Sequence, residues 1–95
     1  MPLIPPALKT RVVNSRGEVP VGAVYIGRPT KWGNPFRIGR DGTREEVIVK
    51  YRVWLLAQPD LIAACKRELH GRVLVCWCKP KACHGDVLAQ IADNL

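Results

Sequence analysis

The segment Arg72-Val73-Leu74-Val75-Cys76-Trp77-Cys78-Lys79-Pro80-Lys81-Ala82-Cys83-His84-Gly85-Asp86 decides the fold. Val73-Leu74-Val75 is a continuous apolar run, the pattern of a strand covered on both faces. Gly71 just ahead of it reads as a left-handed helix stop. Asp86 behind it reads as a helix cap, followed by Val87, Leu88, Ile91, Ala92 and Leu95 as an inward face. A buried strand between two helices is the unit of an α/β layer, and the rest of the chain is read outward from it.

Upstream, a helix is expected from about Asp60 to His70, with Leu61, Ile62, Cys65 and Leu69 facing inward and His70 complementing the helix end. Before it, Gln58-Pro59 stops a helix opened by Thr43-Arg44-Glu45-Glu46. In that capping box the threonine hydroxyl and the glutamate carboxylate each satisfy a free backbone donor. Val47, Ile48, Tyr51, Trp54 and Leu55 form one apolar stripe on this helix, and Val49, Val53 and Leu56 form a second. Such a helix is either deeply buried or part of a homodimer contact.

Arg11-Val12-Val13 and Ala23-Val24-Tyr25-Ile26 are strand candidates joined by the turn-rich stretch Asn14 to Gly22. Gly27 to Gly42 holds four glycines, two prolines and four basic residues with no apolar period, which predicts one long loop. Pro2, Pro5 and Pro6 leave residues 1–10 an irregular arm. The order strand, strand, helix, helix, strand, helix predicts a single α/β domain over residues 1–95: a short sheet of about three strands with helices packed on it.

A chain of 95 residues is one domain's worth, and 47% apolar content is ordinary for a globular core. The run Val47 to Leu56 is interrupted by Lys50 and Arg52, so no segment has the roughly 20 apolar residues of a membrane span, and no membrane partner is expected. MPLIPPALKT lacks the basic lead of a signal peptide, which points to the cytoplasm. The net charge of +7 is lopsided: residues 1–40 carry seven basic side chains against Glu18 alone, whereas residues 41–95 carry eight against seven. A concentrated positive field attracts phosphate-bearing partners, which favours a nucleotide or nucleic acid. The plainer reading is a solvated basic face.

Three thiols and an imidazole fall within nine positions at Cys76, Cys78, Cys83 and His84. Zinc takes four ligands of these types in a tetrahedron. The spacing asks for distortion, because adjacent Cys83 and His84 diverge by about 100° on a regular helix. A second reading is thiolate chemistry. With Asp86 capping the last helix, Cys83 would sit ahead of the helix N-terminus with a lowered pKa, and His84 would serve as acid or base. The third is packing, since free cysteine is among the most buried residue types. Cys65, alone on an apolar helix face, reads as core.

Gly27-Arg28-Pro29-Thr30-Lys31-Trp32-Gly33-Asn34-Pro35-Phe36-Arg37 has the ingredients of a nucleotide cradle. Arg28, Lys31 and Arg37 can pair with phosphate, Trp32 or Phe36 can stack on a base, and Asn34, held extended before Pro35, can offer its amide. The alternative has Trp32 and Phe36 plugging the core. Both this loop and the cysteine segment leave strand ends, where α/β folds gather ligands, so the two are expected to meet.

The runs VYIGRPTKWGNPF, DGTREEVIVKYRVWL and GRVLVCWCKPKACHGDVL resemble a bacterial and phage family catalogued as domain of unknown function 4326, over Val24 to Leu88. The resemblance implies a small domain of microbes and phages, and so a bacterial cell or phage-infected host. By that resemblance the marked positions are Gly27, Arg28 and Lys31 to Phe36 in the loop, and Cys76, Cys78, Cys83, His84, Gly85 and Asp86 in the second motif. It supplies no reaction.

Three functions follow from these readings. The first is a nucleotide or nucleic-acid binding module built on the loop, with Arg28, Lys31, Trp32, Asn34, Phe36, Arg37 and Asp86 contacting ligand and zinc on the Cys/His set. The second is an enzyme on a nucleotide-like molecule, with Cys83 as nucleophile and His84 as acid or base. The third is an interaction protein with no site chemistry.

Overall fold

The computed structural model describes residues 9–94, so most of the proline-rich arm, and Leu95 on the last helix, lie outside the described residues. Strands β1 (Arg11–Asn14), β2 (Val24–Tyr25) and β3 (Val73–Cys76) and helices α1 (Arg44–Leu56), α2 (Pro59–Glu68) and α3 (His84–Asp93) follow one another as strand, strand, helix, helix, strand, helix. The chain is a small mixed α/β domain. All three strands are parallel in the order β1-β3-β2. Val12 and Val24 both align with Leu74.

The apolar run therefore forms the middle strand, with Leu74, Val75 and Cys76 buried. α3 packs on β1 and β3 and also touches α1 and α2, which makes it the hub of the helical layer. Its Val87, Leu88, Ile91 and Ala92 enter one core with Ile26, Tyr51, Leu55, Cys65 and Leu69. Gly85 permits this seating. A Cβ there would stand 2.7 Å from Ile26 Cδ1 and 3.0 Å from Val12 Cγ1.

Three boundaries differ from the sequence reading. α3 begins at His84, not at Asp86, because the Cys83 thiol takes the capping position: its Sγ accepts from Gly85 N at 3.3 Å, while the Asp86 carboxylate accepts from Cys83 N at 3.1 Å. α2 begins at Pro59, since proline suits a first helical turn where its missing donor costs nothing; Asp60 lies inside that turn and Gln58 caps without a side-chain bond. α2 also ends at Glu68, and Gly71 turns the chain at φ 76°. His70 instead reaches α3, with Nδ1 2.9 Å from Asp93 Oδ1. Buried Thr10 joins this knot, its backbone N–H donating to Asp93 Oδ2 at 3.0 Å and its hydroxyl accepting from Gly71 N at 2.9 Å.

The α1 capping box is present as expected, with Thr43 Oγ1 accepting from Glu46 N and Glu46 Oε1 accepting from Thr43 N. Its first stripe faces the core through Val47, Tyr51 and Leu55. The second does not: Val49, Val53 and Leu56 are 62%, 66% and 54% exposed. No helix among the described residues is long and apolar enough to cross a membrane.

Candidate functional site

Parallel strands send all three of their carboxyl ends to one edge of the sheet. There Ser15 N donates to Cys76 O at 2.9 Å and Ile26 N donates to Val75 O at 3.0 Å. The turn after β1, the loop after β2 and the cysteine segment after β3 thus share an edge with the N-terminus of α3.

Cys76 ends β3, Cys78 lies two residues on, and Cys83 caps α3. Their three sulfurs lie within 4.8 Å of one another, close enough that one metal ion could be held. The Sγ atoms of Cys76 and Cys83 are 3.2 Å apart. The Cys83 pKa runs opposite to the sequence expectation. Burial is the main cause and the neighbouring Cys76 thiol adds to it, so the thiol is pushed up to about 12 despite the Gly85 N–H that favours the thiolate. Burial thus favours the protonated thiol at the start of α3, where the helix N-terminus alone would favour the thiolate.

His84 does not join the sulfurs. As the first residue of α3 it points under the sheet edge, its Nε2 2.8 Å from the Ile26 carbonyl and its ring edge-on to Tyr51 at 5.1 Å. A carbonyl only accepts, so Nε2 carries the proton and Nδ1 keeps its lone pair. Burial lowers the imidazole pKa, Arg28 lowers it further, and the bond to Ile26 opposes them. Sequence adjacency to Cys83 suggested a shared metal, but neighbours on a helix diverge, and these two do.

The basic loop splits between two tasks. Trp32 is 3% exposed and belongs to the core, its carbonyl accepting from Tyr51 Oη at 2.8 Å, so it offers no face to a base. Lys31 turns toward α2, pairing with Glu68 at 2.9 Å. Asn34 is a brace: Nδ2 donates to Val47 O at 3.2 Å and Oδ1 accepts from Phe36 N at 2.9 Å, which spends the amide on holding the loop to α1. Asp86 is likewise spent, on Cys83 N and on Lys79. Arg28, Phe36 and Arg37 face the other way.

These three residues line a cleft of about 570 Å³ together with Cys76, Cys78, Cys83 and His84. The loop and the cysteine segment do meet. Asn34 and His84 also share its wall. Sequence reasoning missed Arg44, whose Nη1 donates to Ala82 O at 3.2 Å, and the aromatic residues Tyr25 and Trp77. A signal for Trp77 was present: between two residues that share a strand face, it must point to the other. A second groove of about 770 Å³ beside β1 and α3 carries Lys9, Arg52, Asp86 and Asp93, both signs of charge and none of the cysteines.

Residues 11–94 match the family model described as domain of unknown function 4326. The chain belongs to this family. The match reaches beyond the segment from Val24 to Leu88 to take in β1 and the whole of α3. Among curated relatives, an uncharacterized 12.4 kDa protein from the nrdA-td intergenic region of enterobacteria phage T4 is 38% identical over 76 residues, covering 76% of this chain and 68% of the relative. The uncharacterized protein R718 of Acanthamoeba polyphaga mimivirus is 34% identical over 86 residues, covering 72% of this chain and 65% of the relative. The chain thus spans about two thirds of the length of each. No solved structure matches it.

Proposed function

We propose that this protein binds a phosphate-bearing ligand, a nucleotide or nucleic acid, in the cleft between the basic loop and the cysteine segment, beside a zinc ion. The observation that carries the reading is charge: Arg28, Arg37 and Arg44 line the cleft, and none of its lining residues is Asp or Glu. Guanidinium groups match phosphate oxygens in a planar fork, and a cleft of one sign focuses the field on an anion. Phe36 beside them offers an apolar face to a base.

Cys76, Cys78 and Cys83 would hold the zinc as thiolates, with the fourth position left to a water or to the ligand, since His84 Nε2 is committed to Ile26. Bound there, zinc would act as a Lewis acid. With Nε2 given to Ile26, Nδ1 of His84 would be the nitrogen left for an acid–base role, whereas a Cys83 thiolate spent on zinc would not be free as a nucleophile. The exposed stripe Val49, Val53 and Leu56 supports a separate reading, self-association through α1; a sedimentation shift lost in Val53→Lys tests it.

The test of the cleft is a titration with a nucleotide and an oligonucleotide at rising salt. Phosphate contacts release counterions, so log affinity should fall linearly with log salt, by about 0.7 per contact for a single strand. Arg28→Ala should weaken binding and flatten the slope. Absence of binding to either ligand at low salt overturns the reading.

A further inference from the structure

We infer that the cleft's ligand is a single strand of nucleic acid, whose bases stack on Trp77 and Tyr25 at the rim and whose next phosphate meets Arg16. This rests on the reading of the cleft as a phosphate site. Trp77 is 59% exposed and Tyr25 39%, although both flank the buried strand ends. Large aromatic residues held in water beside a cationic cleft mark a contact surface.

The pair is fixed in place. Trp77 Nε1 donates to Tyr25 Oη at 3.1 Å. Tyr25 in turn folds over Gly27, where a Cβ would stand 2.2 Å from its hydroxyl, so the glycine of the loop motif makes room for the platform. Arg16 is not part of the cleft lining; its guanidinium sits over one face of the Trp77 ring, 5.8 Å from the centroid, so a base would stack on the opposite face. Asn14 sets that position: its Oδ1 accepts from Arg16 N at 2.8 Å, and its Nδ2 donates to the carbonyls of Lys79 and Trp77. The turn after β1 is thereby laced to the cysteine segment.

The result is a track of cations, then aromatic faces, then a cation: Arg28, Arg37 and Arg44 within the cleft, Tyr25 and Trp77 on the rim, and Arg16 outside. A single strand carries the matching groups, successive phosphates along its backbone and a base hung from each sugar between them. A mononucleotide brings one phosphate and one base and leaves Arg16 unmet, and a duplex keeps its base faces stacked on one another, so the track favours single strands. Base–aromatic stacking tolerates any sequence, which predicts weak sequence preference.

The full chain is titrated with thymidine monophosphate, with an oligothymidylate of about eight nucleotides, and with a duplex of the same length, by tryptophan fluorescence and by calorimetry. The oligothymidylate should bind more tightly than the monophosphate and the duplex and should quench fluorescence. Trp77→Ala should weaken the oligomer about 5- to 150-fold, and Trp77→Phe should restore affinity without the quench. Arg16→Ala should weaken the oligomer and leave the monophosphate unaffected. The strand assignment is overturned if the oligomer binds no better than the monophosphate or the duplex, or if Trp77→Ala leaves its affinity intact. If neither the oligomer nor the monophosphate binds at low salt, the phosphate reading itself fails, and the strand assignment with it.

Discussion

A methyl group on Gly85 has nowhere to go. With Ile26 Cδ1 at 2.7 Å and Val12 Cγ1 at 3.0 Å, it would push α3 off β1 and off the loop entry at the strand end where the cleft forms. Helix propensity alone would make alanine the better residue by about 1 kcal/mol, so the sign of the change reports which effect wins. Overpacking costs about 1–3 kcal/mol, and Gly85→Ala is expected to lower stability to urea by about 1 kcal/mol net. Ile26→Val, which removes the nearer methyl, should recover part of that loss; a Gly85→Ala protein as stable as the parent would mean that α3 can shift freely. The cysteines allow a second prediction at this scale. Burial pushes Cys65 up to about 11 and Cys83 up to about 12, so both stay protonated at pH 8, where half-buried Cys78 is the accessible thiol. Alkylation of metal-free protein should mark Cys78 first. Because only thiolate reacts, labelling of Cys65 and Cys83 should accelerate about tenfold per pH unit below those values. Mass spectrometry of the labelled peptides decides it. At this scale the sequence disclosed residue types better than directions: Asn34 was legible as special yet braces the loop, and Trp32 takes the core-plug alternative over the base-stacking one, because composition does not say which face of an irregular loop meets the core.

The start of α1 was the most legible boundary, and capping chemistry explains why. Thr43 and Glu46 satisfy one another's backbone donors across a single turn, a bond pattern that depends on four consecutive residues and on nothing distant. Removing the hydroxyl by Thr43→Ala should cost about 1 kcal/mol. Thr43→Ser should cost far less, and thermal unfolding of the two variants separates a lost cap from a lost methyl. α3 was misread because its cap is a thiol, a group absent from the usual capping set, with Asp86 supplying the carboxylate half of the same box three residues on. Strands were legible in existence and not in extent. β2 pairs over two residues only, and Ile26 beyond it is held by one bond to Val75 while its side chain enters the core. No local pattern announces where a parallel strand stops, since its ladder belongs to a neighbour about 50 residues away, with Tyr25 opposite Val75.

At the scale of the molecule, the α/β order and the meeting of two motifs at the strand ends could be read from the chain, whereas the exclusion of His84 from the sulfur cluster could not. That exclusion follows from α3 starting at His84, which turns the imidazole toward Ile26 and leaves three thiols as the set. A metal held by those three would tie the end of the central strand to the start of the central helix, the two elements on which the rest of the core packs. Its binding would then be folding energy. Free zinc at a hundredfold excess over its dissociation constant stabilises a folded state by about 2.7 kcal/mol. For a domain of this size each kcal/mol moves Tm by roughly 4–8 °C, so a chelator should lower Tm by roughly 10–20 °C. Cys83→Ser separates the two tasks of that residue, because a serine hydroxyl can still accept from Gly85 N and cap α3 while it is a poor zinc ligand. That variant should unfold near the Tm of chelated parent protein and should no longer respond to chelator, while Cys65→Ala, which empties a core position away from the cluster, should be less stable and still respond. A Cys83→Ser protein that loses as many degrees to chelator as its parent would place the metal elsewhere.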